Sequence, residues 1–257
     1  MRFRSGVWRY RLWSAITETA FYIVFLNIDL QGAEMISLKH RCNKCGYQFE
    51  KEHRTFFEVS DASSLIFDDK ECVFRTQCPH CKYYFTIQYP MYYHDAKHKW
   101  LCHLGCNGDE SGPCFSPQVG EYLNSHFDLT NYRLRECRST SELIEKICIA
   151  LCGLDDIAME YVKYFTRKSA GGGSDGNELR FFRAEKETIY FQRWNAKGEG
   201  LQDWIQHFSV YTLAEKTIQQ MKKDGAFCEA QGFVRVTEDM WQVFRNPYFE
   251  KTKLLHI

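Results

Sequence analysis

Between Met35 and about Pro90, apolar and polar residues alternate in short runs, the period of strands rather than helices. "FTIQYPMYY" is rich in β-branched and aromatic residues and reads as a strand over Phe85 to Tyr89. Pro90 ends or edges that strand, because proline has no N–H to give to a ladder. The stretch "GCNGDESGPCFSP", residues 105–117, carries glycine, proline, serine and aspartate and reads as a loop.

The period then changes. Ser139 with Glu142 three residues on is a capping box, and Leu143, Ile144, Ile147, Cys148 and Leu151 follow at helical spacing. Gly153 stops that helix, and "LDDIAMEYVKYF" starts another, with Ile157, Ala158, Tyr161, Val162 and Phe165 as its apolar stripe. Asp155 and Asp156 fall in its first turn, where carboxylates suit the positive end of the helix dipole. The two helices are expected to pack as a hairpin.

"KSAGGGSDGN", residues 168–177, has the composition of a flexible linker. It is glycine-rich but lacks the Lys-Ser/Thr of a phosphate loop. Beyond it "ELRFFRA" and "ETIYFQRW" read as paired strands, with "WIQHFSVY" as a third. Thr212 and Glu215 form a second capping box before a helix carrying Leu213, Ile218 and Met221. A short strand over Phe233 to Val236 and a last helix from Glu238 complete the pattern. The fold class is α+β: a small β-rich unit with a helical hairpin over 35–167, the linker 168–177, and an α+β unit over 178–257.

Residues 1–34 form an N-terminal extension of different character. The run Ala20 to Ile28 has nine residues, too few for the roughly 20 that span a bilayer. Glu18 precedes it and no small-x-small cleavage site follows, so it is a poor signal peptide. The expectation is a start assigned too far upstream, with Met35 opening a strand, an ordinary N-terminal extension being the alternative, and a soluble cytoplasmic protein. Lysine plus arginine balances aspartate plus glutamate at 33 each, so whole-chain charge gives no general attraction to nucleic acid. A protein partner is expected instead.

Composition adds one pointed fact, the 12 cysteines. Two pairs stand out: Cys42-Asn43-Lys44-Cys45-Gly46 and Cys78-Pro79-His80-Cys81-Lys82. Two residues between cysteines make a tight turn that points both sulfurs one way, the knuckle from which structural zinc takes half its ligands. Gly46 lets the chain leave with positive φ, Pro79 fixes the second turn, and aromatic residues follow each pair. The 32 residues between the pairs are a long excursion, which adds little to the closure entropy. Zinc on Cys42, Cys45, Cys78 and Cys81, in a zinc ribbon, is the expectation; a redox dithiol, a surface disulfide and idle thiols are the alternatives. Thioredoxin-like pairs open a helix, whereas strands follow here.

The segments "HRCNKCGYQFE", "QCPHCKYYFTIQYPMYYHD" and "LRECRSTSELIEKICIALCGLDDIAMEYVK" together resemble the CpXC family of bacterial proteins. The order matches: CxxC, CPxC, a strand reaching Pro-x-x-Tyr-His-Asp, then "EKI…GLDD…E…K", over roughly Leu38 to Lys163. The first pair is CNKC rather than CPxC. The resemblance implies a zinc-binding domain and no particular reaction.

Other candidates have bland readings beside them. His94 and Asp95 would suit a general base with an orienting carboxylate, but neighbours on a strand point to opposite faces. Cys102, Cys106 and Cys114, with His98 and His103 nearby, could bind a second metal or be loop thiols. Cys148 and Cys152 lie on the apolar helix face and read as core thiols. Cys72 and His80 are close in sequence to the second cysteine pair and either could substitute as a ligand, but neither is needed once four cysteines ligate. Arg41, Lys44, Arg75 and Lys82 cluster around the knuckles and would serve a nucleic-acid face. No GxSxG, HExxH or dinucleotide fingerprint occurs, so a binding or regulatory module is favoured over an enzyme.

Overall fold

The computed structural model describes residues 26–27, 35–61, 73–105, 125, 127–169, 178–195, 200–201, 203–228, 233–237 and 240–243. The residues that would carry the apolar N-terminal run (save Leu26 and Asn27), most of the 105–117 loop and most of the linker lie outside these.

Strand β1 (Leu26–Asn27) pairs antiparallel with β2 (Met35–Arg41), which pairs with β3 (Gln48–Arg54). The alternation along β2 buries Ile36, Leu38 and His40 and turns Lys39 and Arg41 outward. A second small hairpin joins β5 (Arg75–Gln77) to β6 (Tyr84–Thr86). Between the two hairpins in sequence lies β4 (Phe56–Glu58).

The expected strand over Phe85 to Tyr89 is corrected. The ladder ends at Thr86, Ile87 to Pro90 run without strand pairing, and a new strand β7 (Met91–Asp95) starts directly after the proline. Pro90 thus separates two strands that belong to different sheets.

The centre is a mixed four-stranded sheet in the order β4, β7, β8 (Trp100–Leu104), β9 (Arg133–Cys137). Every residue of β7 and β8 is buried, because both faces are covered. One face carries Met91, Tyr93, Trp100, Cys102 and Leu104 into the main core; the other packs Tyr92 and Leu101 with Phe56, Phe127 and Phe233. Val234 bridges Arg135 of β9, the reduced form of the strand expected over Phe233 to Val236.

Helix α1 (Thr140–Leu151) starts where the capping box places it. Ser139 Oγ accepts from Glu142 N–H at 3.2 Å, while the Glu142 carboxylate accepts from Arg138 N–H at 2.9 Å. At its end Gly153 takes φ +68°, its N–H donating to Ala150 C=O and that of Leu154 to Ile149 C=O. This is a Schellman cap with Leu154 buried beneath it. The expected stripe is off by part of a turn. Ile149 and Ala150 are buried and Leu151 is exposed. Cys152 is exposed too, and its core assignment is corrected because it is the helix C-cap. Helix α2 (Asp156–Ser169) follows, Asp155 capping it by accepting from Ala158 N–H at 2.9 Å.

Beyond the linker, β10 (Glu178–Glu185), β11 (Thr188–Trp194) and β12 (Trp204–His207) form an antiparallel sheet, and α3 (Phe208–Lys223) follows at once. The second capping box is corrected. His207 is the N-cap, its ring accepting from Ser209 N–H at 3.2 Å, and Thr212 sits inside the helix, donating to Phe208 C=O. The core ladder Tyr211, Ala214, Ile218 and Met221 explains the earlier start. A short α4 (Met240–Val243) closes the described chain. One cluster of buried apolar residues runs from Ile36 to Trp241 and draws on segments both before and after the linker.

Candidate metal centre

The two cysteine pairs occupy matching turns. Cys42 N–H donates to Tyr47 C=O and Gly46 N–H to Cys42 C=O; Cys78 N–H donates to Tyr83 C=O and Lys82 N–H to Cys78 C=O, all at 2.8–3.0 Å. Gly46 has φ +72° and Lys82 has φ +58°, so the second turn adopts the glycine conformation without a glycine. Phe49 and Phe85, each four residues past the second cysteine of its pair, meet edge to face with centroids 6.2 Å apart. The second turn therefore repeats the backbone bonds of the first across the sulfur cluster.

Cys42 Sγ lies 3.6 Å from Cys81 Sγ and Cys45 Sγ lies 3.7 Å from Cys78 Sγ, and all four sulfurs fall within 4.8 Å of one another. Sulfurs about 2.3 Å from a tetrahedral centre would stand about 3.8 Å apart. The donor set therefore fits a zinc-sized ion, and the separations are far beyond the roughly 2.05 Å of a disulfide. The nine described cysteines are all free thiols. Burial pushes the Cys42 thiol up, but the backbone amides of Cys45 and Lys44 and the thiols of Cys45 and Cys81 outweigh it and bring Cys42 down to about 7. At Cys45 the Tyr47 amide pulls downward, and burial with the three neighbouring thiols pushes the group up to about 12.

His80 is not among these ligands; its ring stacks on Tyr47. Cys72, Cys106 and Cys114 lie outside the described residues. Cys102 is fully buried in the main core, its thiol pushed up to about 12 by burial, and His98 is engaged with Asp95.

His94 and Asp95 are both buried and do not meet as a dyad. His94 Nδ1 faces the Glu58 carboxylate at 3.1 Å and Nε2 faces Tyr132 Oη at 3.0 Å, with Phe56 and Phe127 against the ring. Asp95 accepts from His98 N–H at 3.0 Å and contacts His98 Nδ1 at 2.6 Å. Each is satisfied by its own set of partners.

A second constellation has no motif to mark it. Arg135 holds Asp156 through Nε at 2.8 Å and Nη2 at 3.1 Å; Lys146 reaches Asp156 at 3.2 Å and Glu160 at 2.9 Å; Lys163 reaches Glu160 and Glu145 at 2.9 Å. Glu145 then accepts the Phe181 N–H of β10 at 2.6 Å. None of these six charged residues is more than 5% exposed. Three cations and three anions alternate, so the chain of charges is neutral and every buried ion has an opposite partner to offset its desolvation. Burial acts against the Asp156 carboxylate, yet Lys146 and Arg135 hold it well below the usual range. A signal exists in the sequence: Asp156, Glu160 and Lys163 recur at i, i+4 and i+7, the spacing of a buried stripe.

Residues 40–163 match the family model described as CpXC protein. The matched segment contains the four clustered cysteines and all six charges. No curated protein and no solved structure matches the chain.

Proposed function

We propose that the CpXC segment is a zinc-organised binding module, with Cys42, Cys45, Cys78 and Cys81 as the ligands and the zinc serving to fold the ribbon. The observation that carries this is the cluster of four sulfurs within 4.8 Å, delivered by two matching knuckles. A centre closed by four thiolates keeps no position for water, so its contribution is structural. The reading places the protein in a reducing compartment, the cytoplasm, in keeping with the free thiols. Among the described residues no helix is long and apolar enough to cross a membrane.

Catalysis at His94 and Asp95 is the weaker reading, because each is engaged by separate partners and no shared proton path joins them. Metal analysis of the purified chain tests the proposal. One zinc per chain, lost on Cys42→Ser or Cys78→Ser and retained on His94→Ala, supports it; full stoichiometry in either cysteine variant sinks it.

A further inference from the structure

The two knuckles end the ribbon in a surface where rings and cations alternate. Tyr47, Tyr83 and Tyr84 are 46%, 38% and 43% exposed, and they are the only aromatic members of the exposed large hydrophobic residues described. A single exposed tyrosine means little; here Tyr47, with His80 stacked on it, and Tyr83 leave the two knuckles at matching positions, and Tyr84 follows Tyr83 at the start of β6. Lys44 Nζ stands 5.4 Å from the Tyr83 centroid and the Arg75 guanidinium 4.7 Å from that of Tyr84. Arg41 and Lys82 are exposed on the same two turns.

The neutral balance of the whole chain, the ground for expecting a protein partner, is an average. Residues 41–49 and 75–84 contain Arg41, Lys44, Arg75 and Lys82 and no aspartate or glutamate. A zinc tetrathiolate would bring two formal negative charges and leave the tip positive. Lysine is depleted at protein–protein interfaces, whereas here Lys44 stands over Tyr83 and Lys82 is exposed beside it. Duplex bases are already stacked and offer no free faces, while unstacked bases and their phosphates match both features.

We infer that the ribbon tip binds single-stranded nucleic acid, bases stacking on Tyr47, Tyr83 and Tyr84 and phosphates meeting Arg41, Lys44, Arg75 and Lys82. The inference rests on the binding-module reading above and names the ligand class.

The test is fluorescence anisotropy of labelled oligo-dT and oligo-U with the zinc-assayed full chain. Both single strands bind at about 50 mM salt, and four phosphate contacts give a log–log salt slope of about −3. Replacing Tyr47, Tyr83 and Tyr84 together by alanine weakens binding by at least about tenfold, since each base–ring stack contributes substantially. Lys44→Gln with Lys82→Gln reduces the salt slope to about half. A duplex of the same length binds more weakly than either strand. Absence of binding by a folded, zinc-loaded chain overturns the inference alone, as does affinity that the tyrosine and lysine variants leave unchanged. So does a protein captured by the wild type and lost from the tyrosine variant when neither strand binds. A folded chain that binds the strands but carries no zinc overturns the metal reading alone.

Discussion

The His80 ring of the second knuckle lies flat on the Tyr47 ring of the first, with centroids 5.3 Å apart and planes 16° from parallel. The counterpart contact, Lys44 over Tyr83, repeats it on the other side of the sulfur cluster. In each case the third residue of one CxxC turn covers the aromatic residue that leaves the other. The knuckles are thereby held to one another outside the sulfur cluster as well as through it.

That repetition sets up a contrast between Gly46 and Lys82, which share a left-handed conformation. A Cβ on Gly46 would meet only Arg41 Nη2, at 4.0 Å, so Gly46→Ala costs backbone strain and nothing else. The expected loss is about 1–2 kcal/mol. Lys82→Gly relieves the same strain against an entropy cost of about 0.5–1 kcal/mol, for a net gain of up to about 1.5 kcal/mol. Urea midpoints of the zinc-loaded proteins decide; a neutral Gly46→Ala contradicts the assignment.

The buried charge chain makes a steeper prediction. Lys163→Met strands Glu145 without its cation and leaves Glu160 with Lys146 alone, and the expected loss is about 3–5 kcal/mol. Arg183→Gln, which removes an exposed pair with Glu185, should cost less than about 1 kcal/mol. Equilibrium unfolding of the two variants should separate them by at least about 2 kcal/mol.

Acidification should weaken the fold through its buried histidines. Burial brings His103 down to about 4, and burial with His40 and Lys51 brings His53 down to about 4. Such histidines bind protons less readily folded than unfolded, so their stability is full above about pH 6.5 and drains as pH falls toward 4. The shift at His103 corresponds to roughly 3–4 kcal/mol. His103→Phe, keeping the stack on Tyr92, should flatten the loss of stability between about pH 6.5 and 4.5. An unchanged slope would contradict the assignment.

His94→Ala separates the histidine from the metal. It empties a buried site that touches Glu58 and Tyr132, so a loss of about 1–3 kcal/mol is expected while zinc content stays at the wild-type level. Calorimetry beside metal analysis reads both. Zinc lost together with the histidine would join the two sites after all.

Much of the ribbon is legible because cysteine spacing and turn chemistry are local. The pairs, the positive φ after Cys45, the Ser139 cap and the Gly153 stop all depend on neighbours within a few residues. The misreadings are tertiary. Pro90 reads as the end of one strand and is the boundary between two, because only the sheets they join distinguish the cases. Glu145, Lys146, Glu160 and Lys163 have the composition of a solvated face and are buried because each finds its opposite on another element. Thr212 and Glu215 have the form of a cap, but the packed ladder from Tyr211 extends the helix past it.

The central claim is that four sulfurs, and nothing else, hold the ion. Zinc K-edge X-ray absorption of the purified chain measures this directly. The account predicts four sulfur scatterers at about 2.3 Å. A nitrogen or oxygen in the first shell, from His80 or water, or fewer than four sulfurs, would contradict it.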